Sequence, residues 1–82
     1  MADMNVAQKI YINPRKLLLS KWTATVPLNK EKHFVVTRLI EPDAPDGLVE
    51  FVELEAIFSR RTCVMAWREL RNTDRWRQGW QP

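Results

Sequence analysis

The chain has 82 residues, with 13 Lys or Arg against 10 Asp or Glu, a net charge of +3 and a single cysteine. That length allows one domain at most, and a lone cysteine excludes an intramolecular disulfide and predicts a reducing compartment, the cytoplasm. No run approaches the roughly 18 apolar residues of a membrane span, and the opening "MADMNVAQKI" has neither a basic n-region nor an apolar h-region, so neither a membrane nor a leader is expected.

Residues 1–11 show no strong period and are expected to be loosely ordered, with residues 12–82 forming one small domain. In "INPRKLLL", Asn13 is an N-cap with Pro14 at the first helical position, which predicts about one helical turn. From Ser20, "SKWTATV" alternates, with Trp22, Ala24 and Val26 on one side and Lys21, Thr23 and Thr25 on the other, as in a half-buried strand. "PLNKEK" is a polar connection. "HFVVTRLIE" is apolar on both faces, with Phe34, Val36, Arg38 and Ile40 sharing one of them, and so reads as a central strand.

"PDAPDG" is a turn, and "LVEFVELEAIF" after it is a strand with Leu48, Val52, Leu54, Ala56 and Phe58 on the core side. Glu50 shares that parity, which predicts a bulge or strand end beside it. "SRR" connects to "TCVMA", completing a hairpin without the Asn-Gly or Asp-Gly of the tightest turns. "WREL" reads as one helical turn, and "NTDRWRQGW" as a second short helix capped by Thr73 and ended by Gly79. Trp76 and Trp80, four apart, would then share a helix face.

These elements predict an all-β domain of four or five strands with one-turn helices near the termini. An SH3-like, partly open barrel and a curled antiparallel meander both fit. The chain has four Trp, three Phe and one Tyr. With no disulfide or metal staple, such aromatics are needed in the core, where each Trp buries roughly 200 Å². Trp22, Phe34, Val36, Val52, Leu54, Phe58 and Trp67 are the expected core.

Charge is unevenly placed. Residues 41–55 carry Glu41, Asp43, Asp46, Glu50, Glu53 and Glu55 and no base, whereas Arg60, Arg61, Arg68, Arg71, Arg75 and Arg77 crowd residues 60–77. The pattern fits a nucleic-acid face or acidic and basic strands pairing across a sheet. Catalysis is not expected. His33 and Cys63 are the only residues of their kinds, which leaves classical triads and zinc sites short of ligands. Cys63 reads as a small buried hydrophobe, and Glu53 and Glu55 as a solvated strand face. Gly47 and Gly79 alone cannot make a phosphate-binding loop. No cofactor and no metal is expected.

In combination, "NPRKLLLSKWTA", "NKEKHFVVTRLI", "VELEAIFSRR" and "WREL…WRQGW" resemble a family of short tryptophan-rich bacterial proteins, a domain of unknown function, over roughly residues 12–80. Where that family often has a proline before the tryptophan corresponding to Trp67, this chain has Ala66. The resemblance implies a bacterial, cytoplasmic protein and supplies no catalytic or binding residue.

The expectation is therefore a non-catalytic binding module. RNA or single-stranded DNA is the first ligand class, with Arg60, Arg61, Arg68, Arg71, Arg75 and Arg77 on phosphates and Trp80 stacking on a base. The alternative is a protein-interaction adaptor using an exposed sheet edge or the acidic 41–55 region. Three geometries separate the classes. Nucleic-acid binding needs arginines on one face, an adaptor needs an unpaired edge or an apolar patch, and an enzyme needs a pocket around Glu53, Glu55 or His33.

Overall fold

The structure is a computed structural model and describes residues 12–82. The loose order expected of residues 1–11 lies outside the described residues. Five antiparallel strands form one open sheet: β1 (Lys21–Leu28), β2 (Glu31–Ile40), β3 (Phe51–Ala56), β4 (Thr62–Ala66) and β5 (Trp76–Gln78), in the spatial order β4-β3-β2-β1-β5. The domain is all-β as expected and takes the meander form. Its end strands do not pair with each other, so the sheet does not close into a barrel.

The first four strands follow each other in a meander. A 3₁₀ helix (Trp67–Arg71) then carries the chain from β4 back to β5, which pairs beside β1. This crossing covers one face of the sheet with Leu70. A shorter 3₁₀ turn (Pro14–Lys16) delivers Leu17 to the same face. Its start is as expected: the Asn13 side chain accepts from the Arg15 N–H at 3.0 Å, and Pro14 needs no N–H there. Between these covers and the sheet lie Trp22, Val36, Val52 and Leu54, all essentially without solvent exposure. Phe34, Met65, Trp67 and Trp76 pack around them. The Trp22 indole N–H is satisfied by Ser20 Oγ at 2.8 Å, so the largest buried side chain leaves no orphan donor.

β2 is the middle strand, as its two apolar faces predict, but the expected single phase breaks halfway. Val36 pairs with Leu54 and Arg38 with Glu53, so Thr37 is the extra residue of a bulge. Phe34, Val36 and Leu39 consequently face the core, while Arg38 and Ile40 turn to the other side. The Thr37 hydroxyl donates to Glu53 Oε1 at 2.8 Å.

The two hairpins use left-handed residues that are not glycine. Leu28 pairs with Glu31 across the two-residue turn Asn29–Lys30, whose φ values of 54° and 63° match a type I′ hairpin. Arg60, with φ 64°, does the same service in the β3–β4 connection.

Three expectations need correction. Leu48 and Phe58 lie before and beyond β3 and are 78% and 68% exposed rather than on the core side. Cys63 is exposed rather than buried, because β4 is an edge strand. Residues 73–80 form no helix. Asn72, not Thr73, organises a turn by accepting from the Asp74, Arg75 and Trp76 N–H groups, and Trp76–Gln78 then pairs with Trp22–Ala24. A helix of so few residues has little stability of its own, and pairing with the open edge of β1 overrides it.

Candidate functional site

Trp76 and Trp80 end on opposite faces of the sheet. Trp76 sits opposite Ala24 on the core side and meets Phe34 edge to face, with ring centroids 5.2 Å apart. It is a clasp. After β5, Gly79 takes a φ of 77°, and the chain turns onto the other face. There the buried Thr23 hydroxyl donates to Gly79 C=O at 2.7 Å and accepts from the Gln81 N–H at 2.8 Å. His33 Nε2 donates to Gln81 C=O at 2.6 Å, and the Trp80 indole N–H donates to Phe34 C=O at 3.0 Å. The Trp80 ring stacks on His33 with centroids 5.7 Å apart and has the Lys21 ammonium 4.8 Å from its centre. Trp80 is thus held at several points and still 43% exposed.

The six arginines are spread over the β3–β4 connection, the 3₁₀ crossing and the β5 segment. Arg60 and Arg61 lie in the β3–β4 connection and meet Glu55 at 3.0 Å and Glu31 at 3.7 Å. Arg68 and Arg71 belong to the 3₁₀ crossing, and the Arg68 guanidinium sits 5.6 Å from the Trp67 ring centre. Arg75 precedes β5, and Arg77 lies within it opposite Thr23, at the other edge of the sheet from β4. Among the described residues, Arg68, Arg71, Arg75 and Arg77 have no carboxylate within ion-pair distance.

Glu53 and Glu55 share a face, as their spacing predicts, and both are engaged. Glu53 receives Thr37 and Arg38, and Glu55 receives Arg60. A groove of about 540 Å³ is lined by Ala24, Val26, Leu28, Phe34 and Trp76 with Glu31, Asp74 and Arg75. Glu53, Glu55, His33 and Cys63 line neither it nor the smaller hollow beside Pro42. The described residues hold no group of three or more His, Cys, Asp or Glu able to bind a metal ion. None of their helices is long and apolar enough to cross a membrane. Although Cys63 is exposed as a residue, partial desolvation against β3 pushes its thiol above the ordinary pKa of 9.0. Glu31 adds to the rise, Arg61 opposes it, and Glu53 adds to it again.

The edges of the sheet differ sharply. Antiparallel ladders alternate hydrogen-bonded and non-hydrogen-bonded pairs. The Ala56 N–H donates to Arg61 C=O and the Trp67 N–H to Glu50 C=O, on either side of β4. With the pairing Leu54 to Cys63 and Val52 to Met65, this phase turns Cys63 and Met65 inward to β3. The N–H and C=O groups of Thr62 and Val64 and the N–H of Ala66 therefore point outward without a hydrogen-bond partner among the described residues, while the Ala66 C=O caps the start of the 3₁₀ crossing. β4 contains no charge, no proline and no bulge, the usual devices that blunt an edge.

The β5 edge has several such devices. It spans only three residues. Its outward Trp76 N–H is bonded to Asn72 C=O, and Gln78 C=O receives the Gln81 side chain. Farther along β1, the outward position is Pro27, which has no N–H. Sequence reasoning singled out the arginines and missed Thr62, Val64 and Ala66. The available signal was a five-residue uncharged run, "TCVMA", between "RR" and "WR".

Comparison with curated proteins and with solved structures finds no match. The family model described as Tryptophan-rich protein (DUF2389), a domain of unknown function, matches residues 20–81, from the start of the first strand to the tail on Thr23. The chain belongs to the tryptophan-rich DUF2389 family.

Proposed function

We propose that this protein is a non-catalytic interaction module that receives an extended segment of a protein partner along the outer edge of β4. The observation that carries this reading is the outward N–H and C=O groups of Thr62 and Val64 and the outward N–H of Ala66, unpartnered among the described residues on a strand without charge, proline or bulge. An added strand satisfies those groups by main-chain hydrogen bonds, and side chains on alternating sides supply selectivity. Val64 at 55% exposure and Phe51 at 47% give such a segment apolar ground on one face. The dispersal of the arginines over the hairpin, the crossing and the opposite edge favours this reading over a phosphate track.

The test is an amide chemical-shift titration with a synthetic peptide of alternating Val and Thr. Shifts centred on Thr62, Val64 and Ala66 are expected. Val64→Pro removes one outward N–H without touching the β3 ladder, so it abolishes binding and leaves the fold intact. Val64→Lys, a charge guard on the same edge, is the second variant should the first lose its fold. Unchanged β4 shifts, or binding that both variants retain, refute the proposal.

Single-stranded nucleic acid is the second reading, favoured by Lys21 and His33 against the half-exposed Trp80 ring, with Arg77 on the neighbouring strand. It predicts quenching of Trp80 fluorescence by an RNA oligonucleotide, falling steeply with salt.

A further inference from the structure

Resting on that reading, we propose that the partner segment is an apolar strand flanked on both sides by acidic residues, and that the same flanks keep two copies of this chain apart. β4 is bounded by Arg60 and Arg61 before it and by Arg68 after it. Arg60 and Arg61 keep most of their side-chain surface exposed, at 73% and 69%, despite their carboxylate partners. A guanidinium has five donors, so one ion pair does not exhaust it. Among the described residues, Arg68 meets the Trp67 ring and no carboxylate.

Two β4 edges brought together antiparallel about Val64 align Thr62 with Ala66 of the other copy, and the outward groups of the two Val64 residues pair. That alignment also brings the connection carrying Arg60 and Arg61 to the end of the second copy's β4 where the crossing with Arg68 begins, twice over, and like charges at both ends oppose association. A segment with Glu or Asp at the same flanking positions meets the opposite situation. Charge thus performs at the ends of β4 the guarding that is missing within it, and it does so selectively.

The middle of the segment is apolar by the same logic. Its neighbours are Cys63 and Met65 on one face and Thr62, Val64, Ala66 and the exposed Phe51 on the other.

The experiment measures binding of three fluorescently labelled nine-residue peptides by anisotropy at low and high salt. All share a central Val-Thr-Val-Thr-Val, with two Glu, two Ser or two Lys at each end. The acidic peptide is expected to bind about tenfold tighter than the Ser-flanked one, a gap that shrinks as salt screens the flanks. Arg68→Glu narrows the same gap while leaving Ser-flanked binding unchanged.

Equal affinity of the acidic and Ser-flanked peptides, both lost with Val64→Pro, refutes the charge inference and leaves strand addition standing. Failure of all three peptides refutes both. Sedimentation is the companion measurement: a monomer at about 100 µM is expected, and a dimer dispersed by Val64→Pro makes a second copy the occupant and overturns the proposal.

Discussion

Replacing Thr23 by valine keeps its shape and removes one hydroxyl, and that hydroxyl is the hinge of the C-terminal tail. Thr23 Oγ1 donates to Gly79 C=O and accepts from the Gln81 N–H, at 2.7 and 2.8 Å, in a position 3% exposed. A net hydrogen bond contributes about 0.5–1.5 kcal/mol, and a partner left unsatisfied costs about 1–3 kcal/mol. Two bonds to one atom, with partners that regain some water as the tail lifts, set the expected loss at about 1–3 kcal/mol. In a domain of this size each kcal/mol lowers Tm by roughly 4–8 °C. Urea and thermal unfolding followed by tryptophan fluorescence give the number. Trp80 reports separately, since losing Gln81 also removes the His33 bond and frees the indole. A Thr23→Val protein within about 0.3 kcal/mol of the parent, a margin well below one net hydrogen bond, refutes the tail as a structural element.

The two tail tryptophans separate in the same assay. Trp76→Ala is expected to cost about 2–3 kcal/mol, below the ~3–5 of a fully buried Trp, whereas Trp80→Ala stays within about 1 kcal/mol. Equal losses refute the two-face placement. Lys30→Gly relieves a left-handed lysine in the Asn29–Lys30 turn and is expected to stabilise by about 0.5–1 kcal/mol, read as a higher urea midpoint with unchanged slope. The raised pKa of Cys63 predicts slower alkylation by iodoacetamide at pH 8.5 in the folded protein than in urea. By linkage, its contribution to stability is full below the unfolded thiol pKa and is lost as pH rises through the folded one. A folded thiol that reacts as fast as the unfolded one contradicts this.

Much of the fold was legible because its signals are local. Asn13-Pro14 starts the first turn, period-2 alternation marks the strands, and "PDAPDG" breaks the chain. What escaped depends on who sits next to whom. "RWRQGW" has helical spacing, and only the presence of an unpaired β1 edge makes part of it a strand. Cys63 has the same neighbours in sequence as a buried residue would, yet β4 is outermost, a fact set by where β5 docks. The site was legible in its charges but not in its main chain. Arginines announce themselves by type, whereas an exposed row of N–H and C=O groups belongs to no residue type and appears only once register is known.

The bulge at Thr37 makes one residue of the central strand removable. Lose Val35 instead, and Val36 turns from the core to the other face. Lose Thr37, and Val36 is followed by Arg38 and Leu39 in strict alternation, with the pairings Val36 to Leu54, Arg38 to Glu53 and Leu39 to Val52 all preserved. What goes is the local bend and the hydroxyl bond to Glu53. Length variation among relatives of this chain therefore has a permitted address at this bulge, and a shorter relative lacking the extra residue would carry the same core on a flatter sheet.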